Sequence, residues 1–265
     1  MSPETRIDAL RSEYERALRV TLEERLVRLG LPVPEEVEIG DVPRLLEQLT
    51  VDAERERITS GGAVNEFLQL QGAAGSGKGT IGRRLVTEHG LTRMPRVTDR
   101  ASRPDEVEGV DYVFVSADEF TRRLAAGEFI GTPATTYGER RGISRTILDQ
   151  HLSVGRPFLI EGSARTPLDL FAAGELTRDH RFLSVFLLTP SFDELVRRLR
   201  TRSVNERASG GEEGSSEEQV RKRIEASIGH VAHSRHVEGG RSVTDIYVVN
   251  DRVEEATTTI RQLFR

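Results

Sequence analysis

Residues 72–80 read Gly72-Ala73-Ala74-Gly75-Ser76-Gly77-Lys78-Gly79-Thr80, and this stretch decides the fold. It matches the phosphate-binding loop pattern G-x-x-x-x-G-K, with Gly79 where Ser or Thr usually follows the lysine and Thr80 one place later. Glycines allow successive backbone N–H groups to converge on phosphate oxygens, and Lys78 adds a compact positive charge. The stretch therefore predicts a polyphosphate site, whose candidate residues are Gly72, Gly75, Ser76, Gly77, Lys78, Gly79 and Thr80.

The segments on either side of this loop have the pattern that such a site needs. Residues 63–71 predict a strand, and residues 80–89 predict a helix that Gly90 ends. A strand, a glycine-rich loop and a helix N-terminus together form an anion site. Only Lys78 and Lys222 are lysines in a chain that otherwise uses arginine, which favours a specific role for the lysine of the loop.

The composition limits the class of protein. With 265 residues, of which 36% are hydrophobic, there is room for one large α/β domain, or for one domain and a small extension. The chain has no cysteine, which excludes disulfides, thiolate metal sites and a cysteine nucleophile. It begins with charged residues in place of an apolar leader, and no apolar run reaches transmembrane length. We therefore expect a cytoplasmic protein without a membrane partner.

The net charge of −5 is unevenly distributed. Residues 1–60 hold 14 acidic residues and 9 arginines, whereas the rest of the chain holds 29 residues of each sign. Nucleic-acid-binding domains usually carry a basic surface, so this balance argues against a nucleic-acid partner. We interpret the cations beyond residue 60 as local binding groups.

Residues 1–62 predict an extension made of two helices. The first covers residues 3–29, where apolar residues recur every three or four positions. The second runs from an Asp41 cap to about Ile58, with an inward side formed by Leu45, Leu46, Leu49 and Ala53. The pair is either a collar packed on the main domain or a hairpin that forms a homodimer. We favour the collar, because the first stripe covers only about three to four heptads.

From residue 63 onward, extended segments alternate with helical ones. This alternation predicts an α/β domain over residues 63–265, in three layers, with a parallel central sheet and helices on both faces. Residues 203–216 are rich in Gly, Ser and Glu and predict a mobile loop.

One stretch after the phosphate-binding loop carries a family resemblance. Residues 98–112, Thr98-Asp99-Arg100-Ala101-Ser102-Arg103-Pro104-Asp105-Glu106-Val107-Glu108-Gly109-Val110-Asp111-Tyr112, resemble the guanylate kinase signature T-T-R-x-x-R-x-G-E-x-x-G-x-D-Y, with the same spacing. Gly127-Glu128-Phe129-Ile130 and Val248-Val249-Asn250-Asp251 look like later landmarks of that family. The resemblance covers residues 64–265 and is to guanylate kinase-like P-loop nucleoside monophosphate kinases.

The resemblance implies a phosphotransferase that uses ATP and Mg²⁺. Lys78 and the loop amides would hold the donor, and Asn250 would lie near the donor adenine or cap a helix. Thr80 would bond a phosphate or help to place Mg²⁺. Glu161, at the end of an apolar strand, would either hold a magnesium-bound water or be an exposed strand-end acid.

The resemblance also implies an acceptor-binding subdomain over about residues 96–150. Arg100, Arg103 and Tyr112 would form the clamp for the acceptor phosphate, since the planar fork of arginine matches two phosphate oxygens. Tyr137 and Ser144 are the further expected acceptor contacts.

A lid over about residues 200–216 is the last part that the family implies. Arg202 and Arg223 flank this segment and would reach the transferring phosphoryl group when the lid closes. A charge that arrives only on closure favours transfer over hydrolysis by water. The expected catalytic residues are therefore Lys78, Arg202 and Arg223.

Two departures from the family affect the acceptor base. Gly131 and Ser163 stand where carboxylates read guanine in the family, so we expect poor discrimination of guanine. The predicted reaction is phosphorylation of a nucleoside monophosphate, GMP by resemblance. Two alternatives remain open. One is a kinase for another phosphorylated small molecule, such as a ribose bisphosphate, and the other is a non-catalytic guanylate kinase-like binding module.

Overall fold

The computed structural model of the protein describes residues 3–61, 65–102, 106–136, 139–162, 166, 170, 182–208, 217–238 and 241–264. The helices are α1 (Pro3–Arg28), α2 (Val42–Thr59), α3 (Lys78–His89), α4 (Ala117–Ala125), α5 (Arg145–Val154), α6 (Phe192–Ala208), α7 (Glu217–Ser234) and α8 (Val253–Leu263). The strands are β1 (Phe67–Gly72), β2 (Thr92–Arg93), β3 (Arg96–Thr98), β4 (Tyr112–Phe114), β5 (Phe129–Thr136), β6 (Glu139–Ser144), β7 (Phe158–Glu161), β8 (Phe182–Leu188), β9 (Val237–Glu238), β10 (Arg241–Ser242) and β11 (Ile246–Val249).

A parallel sheet in the order β11-β8-β1-β7-β2 forms the centre of the fold. Every residue of β1 and β8 is buried, as expected for parallel strands that helices cover on both faces. On one face Phe186 and Leu188 pack with α6 and α7, and on the other Leu68 and Leu70 pack with α3 and α8. The predicted three-layer α/β fold is therefore confirmed, although its first strand begins at Phe67 and not at residue 63.

A second sheet occupies the segment that was predicted to bind the acceptor. Its order is β4-β3-β6-β5, with β3 parallel to β4 and the other pairs antiparallel. Phe120 of α4 and Phe129 of β5 stack at 4.7 Å and pack with Val97 on one face. Because side chains alternate along a strand, Arg96 and Tyr112 belong to the opposite face of this sheet.

Helix α1 packs along the main domain through the apolar stripe that its sequence predicts. The stripe joins the same hydrophobic cluster as Phe192 of α6 and Ile224 of α7, and its buried members are Leu10, Tyr14, Leu18, Leu22 and Leu26. The rings of Tyr14 and Phe192 lie 5.6 Å apart. Arg11 adds an ion pair with Asp193 at 2.5 Å. The arrangement is that of a collar, although the division of the chain at residues 62 and 63 stays a prediction.

The sequence prediction for the inward side of α2 was partly wrong. The most buried residues of this helix are Val42, Pro43, Leu46, Thr50, Val51 and Glu54. Leu45, Leu49 and Ala53 instead line a groove of about 510 Å³ between α1 and α2. Both sides of α2 carry apolar residues, so periodicity alone could not show which side faces the sheet. Asp41 does occupy the N-cap position, but its side chain makes no capping hydrogen bond.

The first part of the segment predicted as a mobile loop is helical. Helix α6 continues to Ala208, so residues 203–208 are helical, and the first part of the predicted lid over 200–216 belongs to this helix. Residues 209–216 lie outside the described residues. Within the described ranges, the structure contains no helix that combines the length and the apolar character needed to cross a membrane.

Candidate active site

The predicted phosphate-binding loop joins the end of β1 to the start of α3. Gly72, Gly75 and Gly77 have φ angles of +140°, +81° and +94°, which residues with a side chain rarely adopt. A Cβ atom at Gly72 would lie 2.8 Å from the carbonyl oxygen of Leu187, and one at Gly77 would collide with the side chain of Asn250. Glycine is therefore needed here both for backbone conformation and for space.

Lys78 is the first residue of α3, and its side chain folds back over the loop. The Nζ atom donates hydrogen bonds to the carbonyl oxygens of Gly72 at 2.6 Å and Ala73 at 2.7 Å. Loss of water around the ammonium group lowers the pKa of Lys78 to about 7, although the charge of Glu161 opposes this effect. A bound polyphosphate would restore the favourable environment of the charged form.

Asn250 braces the loop from the end of β11. Its Nδ2 atom donates to the carbonyl oxygen of Ser76 at 2.8 Å, and the residue is buried. The alternative of a helix cap was wrong, because Arg252 holds the N-cap position of α8; a contact with adenine stays a prediction. Ser76 is also buried, and its Oγ atom has no hydrogen-bond partner within the described ranges, which suits a hydroxyl that would bind a phosphate oxygen.

Glu161 ends β7 beside the phosphate-binding loop. Its side chain is 17% exposed and pairs with Arg93 at 3.0 Å, and Arg93 also pairs with Asp111 at 2.8 Å. The expectation of an exposed strand-end acid was therefore wrong. Thr80 lies in the first turn of α3 with an exposed side chain. Both Glu161 and Thr80 carry oxygen atoms that could hold a metal, whereas no group of three acidic or histidine side chains that could form a metal site occurs within the described ranges.

Arg100 follows β3 and lies beside Tyr112, on the face of the second sheet that carries Arg96; the sequence predicted the acceptor clamp from Arg100, Arg103 and Tyr112. Its guanidinium group makes two hydrogen bonds with Glu106, at 2.7 and 2.5 Å. It also lies 4.8 Å from the ring centre of Tyr112 and 5.4 Å from that of Phe114. The structure thus brings Arg100 and Tyr112 together, and the carboxylate of Glu106 occupies both terminal nitrogens of the arginine fork.

Two further arginines on this face were not predicted as site residues. Arg96 lies 5.9 Å from the ring centre of Tyr112 and bonds the phenol group, and Arg141 pairs with Glu139. Burial raises the pKa of the Tyr112 phenol, but the charges of Arg96 and Arg141 outweigh it, and the pKa is lowered. Alternation within Arg96-Val97-Thr98 could have placed Arg96 on this face, whereas the position of Arg141 depends on its pairing with Thr98 across strands.

Of the remaining predicted acceptor positions, the structure describes Ser144 and Gly131. Ser144 is buried at the N-cap position of α5 and makes no capping hydrogen bond there. Arg103, Tyr137 and Ser163 lie outside the described residues. Gly131 is exposed, with a φ angle of +62°, next to an irregularity in the pairing of β5 with β6 between Ile130 and Ala134.

The two predicted lid arginines lie on separate helices. Arg202 is on α6 and Arg223 is on α7, and both side chains are half-buried. The charge of Arg202 contributes to lowering the pKa of Lys78, which places it within electrostatic range of the loop. Arg198, one turn earlier, instead donates to the carbonyl oxygen of Asn250 at 2.8 Å and pairs with Glu194.

Comparison with known proteins agrees with this arrangement. The family model described as Guanylate kinase matches residues 65–265. The chain is 30% identical over 209 residues to a guanylate kinase of Bifidobacterium longum, an alignment that covers 77% of this chain and 95% of that protein. It is 30% identical over 203 residues to a guanylate kinase of Chlamydia felis, which covers 76% of this chain and 88% of the relative.

A solved structure is also similar. The crystal structure of guanylate kinase from Anaplasma phagocytophilum matches with a TM-score of 0.54 and 26% identity, over 77% of this chain and 86% of that chain. The resemblance predicted for residues 64–265 is therefore confirmed by sequence and by fold. The chain belongs to the guanylate kinase family of P-loop nucleoside monophosphate kinases.

Proposed function

We propose that the protein transfers the γ-phosphoryl group of ATP to a small phosphorylated acceptor, which binds on the arginine-bearing face of the second sheet. The observation that carries this proposal is the proximity of the two halves of the site: Arg93 pairs with Glu161, beside the loop, at 3.0 Å and with Asp111, the neighbour of Tyr112, at 2.8 Å. The charges of Arg96 and Arg141 act on Lys78 and contribute to lowering its pKa. Cations of the acceptor sheet and of the donor loop therefore lie near one another, and two bound polyanions would relieve their repulsion.

The residues take roles that phosphoryl transfer requires, namely positioning and neutralisation of charge. The loop N–H groups and Lys78 would hold the donor phosphates. Arg100, whose fork now pairs with Glu106 at 2.5 Å, would hold the acceptor phosphate in line with them by exchanging that carboxylate for phosphate oxygens. Arg202 and Arg223 would bring further positive charge to the transferring group and exclude water.

Mg²⁺ fits the donor side of this site. Thr80 offers an exposed hydroxyl group, and the Oε1 atom of Glu161 accepts no hydrogen bond of good geometry within the described ranges, beyond its ion pair with Arg93. Mg²⁺ prefers such oxygen ligands and usually keeps several waters beside one or two protein groups and the phosphates. When bound, it would neutralise charge on the phosphoryl group. We propose that Thr80 and Glu161 hold it, directly or through water.

GMP is the first candidate acceptor, because the relatives are guanylate kinases. A ribose bisphosphate is the second candidate. It is favoured by Arg96 and Arg141, which add two cations to the face that already holds Arg100, since more phosphate groups would need more cations. A non-catalytic binding module is the least favoured, because it would have no use for Lys78 in its loop or for Arg100.

We expect weak discrimination between acceptor bases. Gly131 provides no carboxylate for guanine, so the site would select by shape. Selection by shape gives roughly 10- to 200-fold preference, whereas a paired hydrogen-bonding site reaches roughly 10⁴-fold. The measurement is kcat/KM by ATP consumption for GMP, AMP, their deoxy forms, the pyrimidine monophosphates and ribose bisphosphate. A preference for GMP above about a thousandfold would show that other residues read the base.

The same experiment includes Gly131→Glu. The left-handed backbone at Gly131, with a φ angle of +62°, would strain any residue with a side chain by about 1 to 2 kcal/mol. We therefore expect this variant to lose thermal stability without gaining preference for GMP. A stable variant with at least a tenfold gain for GMP would show that the missing carboxylate alone accounts for the altered specificity.

Arg100→Lys should weaken use of the acceptor. Lysine keeps the charge but loses the fork and the stacking on Tyr112, so we expect kcat/KM for the acceptor to fall roughly tenfold to a hundredfold, with the affinity for ATP nearly unchanged. The measurement is steady-state kinetics with each substrate varied in turn. Wild-type kinetics in this variant would remove the acceptor assignment.

Arg140→Lys is the matched control for that variant. Arg140 pairs with Asp99 at 2.5 Å and stacks on Phe120 at 4.6 Å, on the face away from the proposed acceptor. The Arg140→Lys protein loses a carboxylate pairing and a ring contact like those that Arg100→Lys loses. Its melting temperature should therefore fall, whereas its KM for the acceptor should not change. Equal acceptor KM values for Arg100→Lys and Arg140→Lys would mean that the first change acts only through stability.

We propose that the protein is a monomer. We also propose that it lies in the cytoplasm, because ATP is supplied there and the chain carries no cysteine. A homodimer through the N-terminal helices is the less favoured proposal. The stripe on α1 that would form its contact packs within the subunit, so a dimer would have to use other residues.

A further inference from the structure

We propose that helix α2 positions the phosphate-binding loop, through Glu47 and Thr50, and so determines how tightly the protein binds ATP. The inference rests on the proposed donor site and assigns a positioning role to the N-terminal extension. Three sets of contacts carry it, and they run from α2 to β11, from β11 to Asn250 and from Asn250 to the loop.

The first contacts connect α2 to β11, which is the edge strand of the central sheet. The N–H of Tyr247 donates to Thr50 Oγ1 at 2.9 Å, and the N–H of Val249 donates to Glu47 Oε1 at 3.1 Å. An edge strand leaves such groups without a strand partner. Tyr247 and Val249 are both 2% exposed, so water cannot easily replace these two side chains. Helix α2 thus takes the place of a further strand.

The second contacts flank Asn250, which directly follows β11 and whose own N–H and C=O groups bond Leu188 and Arg198. Glu47 bonds the residue before it, and Arg44 pairs with Asp251 after it at 3.3 Å. The pair of Arg44 and Asp251 is exposed and contributes little, whereas the Glu47 side chain is only 17% exposed. Glu47 is therefore the principal contact of α2 with this turn.

The third contact joins Asn250 to the loop, where Nδ2 donates to the carbonyl oxygen of Ser76 at 2.8 Å. A trans peptide is planar, with its C=O and N–H groups pointing in opposite directions. When Asn250 holds the Ser76 carbonyl, the N–H of Gly77 in the same peptide points away from Asn250. We assign this N–H as one of the loop donors that would bind phosphate. Because a Cβ at Gly77 would collide with Asn250, the two segments have little room to shift.

Glu47→Leu tests the first link. Leucine keeps the apolar bulk but leaves the Val249 N–H without an acceptor, so Asn250 and the Ser76–Gly77 peptide lose a constraint. We expect the Kd for ATP·Mg²⁺ to rise about 3- to 10-fold, in the range of measured couplings between distant positions, with the KM of the acceptor unchanged. Glu47→Gln keeps an oxygen acceptor and should stay within about twofold of wild type. The readout is calorimetric ATP binding, beside the melting temperature.

Glu54→Leu is the matched control, since this glutamate is buried on the same helix but pairs with Arg57 of α2 at 2.6 Å. It should lower the melting temperature and leave the Kd for ATP unchanged. If Glu47→Leu folds poorly, Thr50→Val and Thr50→Ser repeat the design at the other hydrogen bond between α2 and β11, which joins Thr50 to Tyr247. Valine removes the hydroxyl and should weaken ATP binding, whereas serine should not.

A double-mutant cycle tests whether the effect passes through Asn250. On an Asn250→Ala background, Glu47→Leu should add less than about twofold to the Kd for ATP, because both changes break one chain of contacts. Full additivity would overturn the proposed route. Equal Kd values for Glu47→Leu and wild type, or equal losses for Glu47→Leu and Glu47→Gln, would overturn the positioning role. A wild-type protein that fails to bind ATP would instead overturn the donor site itself.

Discussion

Removal of residues 1–60 should abolish cooperative folding. Helices α1 and α2 contribute buried apolar side chains to the two clusters of the main domain, namely Leu10, Tyr14, Leu18, Leu22, Leu26, Val42, Leu46 and Val51. Burial of one such side chain contributes about 1.5 to 3 kcal/mol, and the whole stability of a domain is only about 5 to 15 kcal/mol. The free energy lost with these contacts is therefore of the same order as the free energy of unfolding of the protein.

The truncation would also expose the surface that these helices cover. Phe192 and Ile224 would lose their neighbours on α1, and the N–H groups of Tyr247 and Val249 would lose their acceptors on α2. An uncovered edge strand beside apolar surface favours aggregation. We expect residues 61–265 alone to be largely insoluble, or to lack a cooperative thermal transition by circular dichroism.

The control is removal of residues 1–6, which ends before Leu10, the first buried residue of α1 within the described ranges. This shorter truncation should keep the melting temperature within a few degrees of the full chain. A folded and active protein of residues 61–265 would contradict the collar. Light scattering distinguishes the other alternative, since a full-length dimer that becomes a monomer on truncation would favour a dimerisation hairpin.

Local sequence signals predicted the main domain well, because each of its determinants lies within a few residues. Gly72, Gly75 and Gly77 of the loop and Gly90 at the end of α3 adopt positive φ angles, which few other residues tolerate. The apolar runs of β1 and β8 are buried along their whole length. These features need no knowledge of the rest of the chain, so the sequence alone specifies them.

The position of α2 could not be predicted in the same way. Its buried side includes Thr50 and Glu54, which hydropathy assigns to solvent. Thr50 is buried because its hydroxyl replaces a strand as the partner of Tyr247, a contact between residues 197 positions apart. Periodicity describes a helix by itself and carries no information on such a partner.

The end of α6 lies beyond the position that the sequence predicts, and the reason is local to that segment. The predicted loop was identified from its Gly, Ser and Glu content, but the first glycine after Arg202 is Gly210. Residues 203–208 contain no glycine or proline, so nothing in them ends a helix, and α6 continues to Ala208. Composition averaged over the segment concealed this boundary.

The candidate site shows the same division between local and distant signals. Lys78 and Arg100 were predicted from motifs; in the structure Lys78 begins α3 and Arg100 lies beside Tyr112, and their roles stay predictions. Arg96 and Arg141 come together with Tyr112 only through the pairing of β3 with β4 and β6. A sequence motif describes one strand at a time, so a face assembled from three strands was not visible in it.

Lys78→Ala should lower kcat at least a hundredfold, equivalent to about 2.7 kcal/mol of barrier, while the melting temperature changes little. The lysine is half-buried at the loop, and its ammonium group donates hydrogen bonds to the backbone of Gly72 and Ala73. The matched control is Lys222→Ala, which removes the other lysine of the chain. Lys222 is 55% exposed on α7 and lies 3.9 Å from Glu218. The activity of the Lys222→Ala protein should therefore equal that of wild type.

The affinity for ATP should depend on pH through the same lysine. The pKa of Lys78 is about 7 in the free protein, so the side chain loses its charge as the pH rises above 7. Bound phosphates favour the charged form and raise the pKa, so the complex keeps a proton that the free protein has released. Binding should therefore take up a proton at pH 8 to 9, and affinity should fall by up to tenfold for each pH unit above 7.

Calorimetry at pH 8.5 in two buffers of different ionisation enthalpy measures this proton directly. Wild type and Lys222→Ala should take up close to one proton for each ATP bound, because the free protein is mostly neutral at Lys78 and the complex mostly charged. Lys78→Ala should take up none. More than about a tenth of wild-type activity in Lys78→Ala would leave less than 1.4 kcal/mol for the lysine and contradict the donor site, and equal proton uptake in all three proteins would mean that another group titrates on binding.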